Sequence, residues 1–232
     1  MTDASALPMI FLAYIGLVAL VVAALLSRAF QGRSRIWALL ALAIWLADVG
    51  AFSGLGWLRD PDARPPGMLL LVVPVFTALV LIVGVLPTGK RLAATLPVAW
   101  LIGFQVFRVG VELALAELHA QGLAPKLLTL AGGNVEILVA LSAPLVAWIA
   151  TRGLRGRRIA LVWNGLGLLS LINVAARAVL SAPGPLNLLH TEAPNIAFGF
   201  FPYGFIPGFM APLAFATHML TFRALRAYDA AP

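Results

Sequence analysis

Three observations predict an all-α fold, a single bundle of seven transmembrane helices. First, 62% of the 232 residues are hydrophobic, 11% are charged, and the mean hydropathy is +0.98. Soluble domains run at about 45–50% apolar and about 25% charged, and a soluble chain this apolar would expose large patches and aggregate. Second, the apolar residues fall into seven runs, each near the roughly 20 residues that a spanning helix needs. Third, the basic residues crowd into alternate connections between those runs.

The runs are 7–26, 36–57, 68–86, 94–120, 134–150, 159–180 and 205–225. Turn formers separate them: Asp60-Pro61, Arg64-Pro65-Pro66-Gly67, Pro87-Thr88-Gly89, Gly132-Gly133 and Pro183-Gly184-Pro185. The N-terminus, Met1-Thr2-Asp3-Ala4-Ser5, lacks the positive region of a signal peptide, so the first run reads as a retained helix. The fourth run is long enough to tilt, and Pro144 interrupts the short fifth. The whole chain, 1–232, reads as one domain. A weak 3+1+3 repeat over 1–87, 92–121 and 132–226 is suggested by Trp37 and Trp163, by Asp48 and Asn173, and by Pro74 and Pro212 at similar places.

Direction follows from charge. The first, third and fifth connections and the C-terminal tail carry Arg28, Arg33, Arg35, Lys90, Arg91, Arg152, Arg155, Arg157, Arg158, Arg223 and Arg226. The other side has Arg59, Arg64 and Lys126, and Arg108 and Arg177 lie within runs. Positive residues stay in the cytoplasm, which predicts the N-terminus outside and the C-terminus inside. Fourteen of the 16 basic residues are Arg, a bias that with the abundant Ala and Gly suggests a GC-rich bacterial genome and hence the bacterial inner membrane. Because the basic residues mark topology, the net charge of +7 does not predict nucleic acid. With no cysteine, disulfides, thiolate metal sites and thiol catalysis are excluded. The sixth connection, about 181–204, is rich in Pro, Asn and Phe; Phe198, Phe200, Phe201 and Tyr203 fit an interfacial belt or a cap.

Ionisable residues within the runs are the functional signal, since a mid-span charge costs at least about 2.5–3.5 kcal/mol. Gln105, Arg108, Glu112 and His119 are spaced by 3, 4 and 7 and share one helical face. Arg108 and Glu112 are placed for an i,i+4 ion pair. Ser170, Asn173, Arg177 and Ser181 form a second stripe; Asn164, nine residues before Asn173, faces the other way and is excluded from it. Asn134 is a helix cap and Glu136 sits in the first turn, where the helix dipole favours a carboxylate. Asp48 and His218 each stand alone near mid-span; the His reads as a packed core residue, and the Asp as protonated, paired or facing water.

By direction and depth, Arg108, Glu112, Asn134, Glu136, Asn173 and Arg177 meet in the outer leaflet. They are expected to line one ligand-binding cavity, with Gln105, His119, Asp48 and His218 as accessory residues. If all six converge, two Arg balance two Glu. The expected function is binding or transport of a small polar or amphipathic ligand, with membrane lipids as surroundings. The alternatives are an enzyme acting on a lipid or quinone, with Glu112, Glu136 or His119 as acid or base, and an accessory subunit. Transport predicts a path continuing past His218, an enzyme a blind pocket open sideways to lipid. No phosphate loop, HExxH or nucleophile-elbow motif is present, and neither a metal nor a cofactor is expected.

The architecture is similar to that of microbial rhodopsins, yet the last run lacks the lysine that would hold retinal. The segments Phe107-Arg108-Val109-Gly110-Val111-Glu112, Thr129 to Gly133-Asn134-Val135-Glu136, Pro194-Asn195 and Phe201-Pro202 resemble a family of small bacterial multi-spanning proteins without an assigned activity. The resemblance covers runs four to seven. It implies that these polar residues belong together, with Glu136 standing where some relatives carry Asp.

Overall fold

The computed structural model describes residues 6–229, with side chains as far as Arg226; Met1–Ser5, which lack the positive region of a signal peptide, lie outside the described residues. Among those described there are helices and no strands. They are α1 (Leu7–Ala29), α2 (Gly32–Gly54), α3 (Gly67–Leu79), α4 (Pro87–Thr95), α5 (Val98–Phe104), α6 (Arg108–Ala120), α7 (Glu136–Ala150), α8 (Gly153–Leu180) and α9 (Ala211–Asp229). Five helical stretches are long and apolar enough to cross a membrane: Leu7–Ala29, Gly32–Gly54, Gly67–Val85, Val98–Ala120 and Gly153–Leu180. The chain is therefore membrane-embedded. The 15-residue Glu136–Ala150 is shorter, about 22 Å at 1.5 Å per residue.

The helix ends differ from the expected runs for local reasons. The first connection shrinks to Phe30–Gln31, and α8 begins at Gly153, so that Arg155, Arg157 and Arg158 belong to its first turns. A wide π turn over Val80–Val85 ends α3, and Pro87, suited to the first turn of a helix, opens the short α4. The fourth run is two helices, α5 and α6, joined by a tight 3-10 turn over Gln105–Phe107. The carbonyl of Phe107 accepts from the Tyr14 hydroxyl of α1, whose ring fits against Gly110 in space that a Cβ would fill.

That composite span is the centre of the molecule. Of its most apolar window 56% is buried, against 11–22% for the other four. α5 packs on α7 and α9, α6 on α1 and α7, and α8 on α7 and α9. The outward faces of α1, α2, α3 and α8 expose Leu, Ile, Val and Trp, among them Leu20, Ile44, Val73 and Leu166, as lipid-facing surfaces do. A second π turn, Ile206–Met210, leads into α9, and Trp45 of α2 donates to the Gly208 carbonyl at 2.8 Å.

The two ends of the bundle differ. At one, Arg28 lies over Trp100, Arg91 over Phe30 and Arg152 over Trp148, and Arg223 donates to the Val83 carbonyl. At the other, three connections are knitted into a roof. Ile196 and Ala197 donate to the Leu123 carbonyl at 3.2 and 3.0 Å, the Lys126 amide donates to Glu192 Oε1 at 2.7 Å, and Arg59 donates to the Gly199 carbonyl at 3.1 Å while lying over Phe200. The Lys126 bond holds the Glu192 carboxyl below its ordinary range. The sixth connection is thus a cap: Phe198 and Tyr203 are buried beneath it, while Phe200 and Phe201 stay exposed.

Asp48 corrects an expectation. Its side chain is exposed on the outward face of α2, with no hydrogen bond or ion pair among the described residues, because the inward positions of that helix are Leu42, Val49 and Ser53. Asp48→Leu should therefore not lower the melting temperature of the detergent-purified protein. A clear fall would reveal a buried partner.

Candidate functional site

α6 starts at Arg108 directly after the 3-10 turn, and α7 starts at Glu136 directly after the Thr129–Asn134 turns. The two helix starts bring their charges together. The Arg108 guanidinium forms a salt bridge with the Glu136 carboxylate through Nη2, and both side chains are almost fully buried. The expected i,i+4 pair with Glu112 is not formed at contact distance. Glu112 instead accepts a 2.8 Å bond from the Asn134 amide, which also donates to the Leu128 carbonyl at 2.9 Å. Asn134 Oδ1 accepts from the Glu136 N–H at 3.1 Å. It acts just ahead of the helix start rather than as the cap itself, which is Val135.

Behind the ion pair lies His218 of α9, fully buried. Arg108 Nη1 sits 3.1 Å from His218 Nε2, and His218 Nδ1 sits 2.8 Å from Asn164 Oδ1. A guanidinium can only donate, so Nε2 accepts, the ring proton is on Nδ1, and it is donated to Asn164. The Asn164 amide returns to the His218 carbonyl at 3.0 Å. The imidazole lies against Gly167, where a Cβ would come 2.7 Å from Cε1. The result is a continuous buried chain: Asn164, His218, Arg108, Glu136, Asn134, Glu112.

A cavity of about 330 Å³ ends on this chain, within the usual range of small-molecule sites, about 300–1,000 Å³. Arg108, Glu112 and Glu136 supply its charged end. Its walls are apolar: Met68, Val72 and Phe76 of α3 on one side, Leu171, Val174 and Ala178 of α8 on another, and Ile206, Pro207 and Met210 of the π turn. The roof consists of the 58–61 and 195–200 segments with Pro183 and Pro185. His218 lies outside the lining, so the cavity stops at the ion pair among the described residues. Glu136 Oε1 is buried without a hydrogen-bond partner.

Four of the six residues expected to share a cavity are brought together: Arg108, Glu112, Asn134 and Glu136. Two are not. Asn173 is exposed on α8, and Arg177 turns away to donate to the carbonyls of Leu127 and Gly132 at 3.3 and 3.1 Å. The site accordingly holds one arginine and two glutamates, not a balanced set. Of the accessory residues, His218 belongs to the chain. Gln105 is buried beside it on the Ala214 carbonyl and Thr217, while His119 binds the Ala124 carbonyl near the roof. No group of three or more His, Cys, Asp or Glu among the described residues could hold a metal.

The angle to Asn173 misplaces Asn164, because Asn173 is itself exposed. The buried stripe of α8 is Gly156, Ala160, Asn164, Gly167 and Leu171. Its small-residue spacing, typical of close helix packing in membranes, is visible in the sequence and puts Asn164 on the inward face.

Comparison with known proteins adds the family. A family model described as "Domain of unknown function (DUF8737)" matches residues 65–226. The chain belongs to this family. The DUF8737 region holds every member of the buried chain from Arg108 to His218 and both long walls of the cavity, whereas α1 and α2 precede it. Neither curated proteins nor solved structures give a match.

Gly167→Ala should displace His218, lower thermal stability and weaken its bond to Arg108. His218→Leu should do so more directly, leaving a guanidinium donor unpaired at about 1–3 kcal/mol. Melting temperatures of the two variants in detergent measure this, and unchanged values for both would mean that the histidine link contributes nothing.

Proposed function

We propose that this protein is a seven-span inner-membrane protein that binds an amphipathic ligand in the roofed cavity, the apolar part against α3 and α8 and the polar end at Arg108, Glu112 and Glu136. One observation carries the reading: three buried charged side chains converge at the closed end of a cavity whose helical walls are apolar. Packed apolar residues would fill that space without desolvating charges, so a purely structural role gives no reason for the cavity beside them.

The seven spans are the five long ones, α7, and the π turn with α9. The basic end takes the cytoplasm under the positive-inside rule, which leaves the roof and the cavity on the outer side. Reporter fusions after Pro87 and after Arg226 should then read cytoplasmic, and fusions near Leu188 external. A cytoplasmic signal near Leu188 would reverse the arrangement.

The blind end at Arg108 and Glu136 favours a binding site over a transport path. It also supports a second reading, an enzyme acting on a lipid or quinone that enters between α3 and α8, with Glu112 as acid or base. Arg108→Leu alone should cost about 3–5 kcal/mol, since it leaves Glu136 buried and unpaired. Arg108→Leu with Glu136→Leu should recover most of the stability and still lose ligand, read as co-purifying amphiphile by mass spectrometry. Retention of that amphiphile by the stable double variant would separate the ion pair from binding.

A further inference from the structure

The charge count at the closed end identifies the ligand's head group. The charge of Arg108 is committed: Nη2 pairs with Glu136 and Nη1 faces His218. Arg177, the second cation expected here, is committed to the carbonyls of Leu127 and Gly132. Glu112, more than nine-tenths buried and lining the cavity, has only the neutral Asn134 amide, bound to Oε2. Glu136, 2% exposed and also lining the cavity, keeps Oε1 without a hydrogen-bond partner. The closed end thus sets two carboxylates against one guanidinium, with Glu136 Oε1 an unmet acceptor. An anionic head would meet two carboxylates and an occupied guanidinium; a neutral alcohol would leave the charge of Glu112 uncompensated. A primary ammonium carries three donors and one positive charge, which meets both deficits.

We propose that the cavity takes a long-chain amphiphile with a protonated primary amine head, its ammonium donating to Glu112 and to Glu136 Oε1 and its chain lying between α3 and α8 beneath the roof. This deepens the proposed function and rests on the cavity being a ligand site. The complex is electrically neutral, with Arg108 and the ammonium facing Glu112 and Glu136. The apolar walls of α3 and α8 recognise only length and shape, so the closed end distinguishes one head group from another.

The test uses the full chain in a non-ionic detergent, titrated with dodecylamine, dodecanol or dodecanoate, with thermal stabilisation as the readout. Dodecylamine should raise the melting temperature with an apparent affinity at least about tenfold above those of dodecanol and dodecanoate, because a hydrogen bond to a charged group is stronger than a neutral one. Glu112→Gln keeps an oxygen for the Asn134 amide to bind; it should bring dodecylamine down to the level of dodecanol while leaving dodecanol binding intact. Equal binding of the three amphiphiles by the parent would overturn the amine assignment and leave the cavity as a ligand site, as would a Glu112→Gln variant that binds the amine like the parent. Stabilisation by sodium chloride alone, without any amphiphile, would assign the site to an inorganic cation instead. If no amphiphile binds at all, the proposed function itself fails. The comparison on the parent decides the question even if the variant does not fold.

Discussion

The buried ion pair between Arg108 and Glu136 is the constraint around which the rest of the structure is arranged. Two charges in a low-dielectric interior persist only where their remaining hydrogen-bonding groups are met, and nearly every polar group nearby serves that need. His218 accepts from the other guanidinium nitrogen and is oriented by Asn164, and Asn134 holds both the start of α7 and the second carboxylate. The helices that supply these groups, α6, α7, α8 and α9, are those most closely packed, with α5, at the centre of the bundle. Small residues make the approach feasible: Gly167 clears room for the imidazole, and Gly110 for the Tyr14 ring that braces the 3-10 turn ahead of Arg108.

The cavity follows from irregular backbone. A regular α-helix running into α9 would leave no widened turn beside Arg108. The π turn at Ile206–Met210, a local widening found often at functional sites, sets Ile206, Pro207 and Met210 along the wall, and its loosened carbonyl at Gly208 is satisfied by Trp45. The roof is held by main-chain bonds to the Leu123 carbonyl, by the Lys126 amide on the Glu192 carboxylate and by Arg59, while Arg177 ties α8 to the Leu127 and Gly132 carbonyls. The DUF8737 match over residues 65–226 covers the π turn, the charged end and the 195–200 part of the roof, while Trp45, Arg59 and the 58–61 segment precede it.

Much was legible from residue order. Apolar runs of spanning length mark out long helices, and the spacing of Arg108 and Glu112 with the position of Glu136 picks out the residues that hold the charged end. Helical angle alone does not decide which face of α8 turns inward. Along α8 the polar stripe through Asn173 and Arg177 and the small-residue stripe through Asn164 and Gly167 were rival inward faces, and helical periodicity is indifferent between them. Packing against α9 chose the small stripe, because Gly167 admits the His218 ring and a larger side chain does not. Asp48 shows the same limit, a charge whose rarity suggested burial and whose helix turns it outward.

The sequence by itself determined that the protein is helical and membrane-embedded, and that the ionisable residues within its apolar runs, Asp48 apart, fall from Arg108 onward. Those are one-dimensional properties, set by hydropathy, by residue spacing and by breakers. The tertiary structure alone decided which charges are partners. Arg108 lies four residues from Glu112 and 28 from Glu136, and a pair is chosen by the direction in which each helix start points its side chain, not by separation along the chain. Once α7 brings Glu136 to Arg108, Glu112 is left to Asn134, and the uneven balance of one arginine and two carboxylates is a consequence of that geometry.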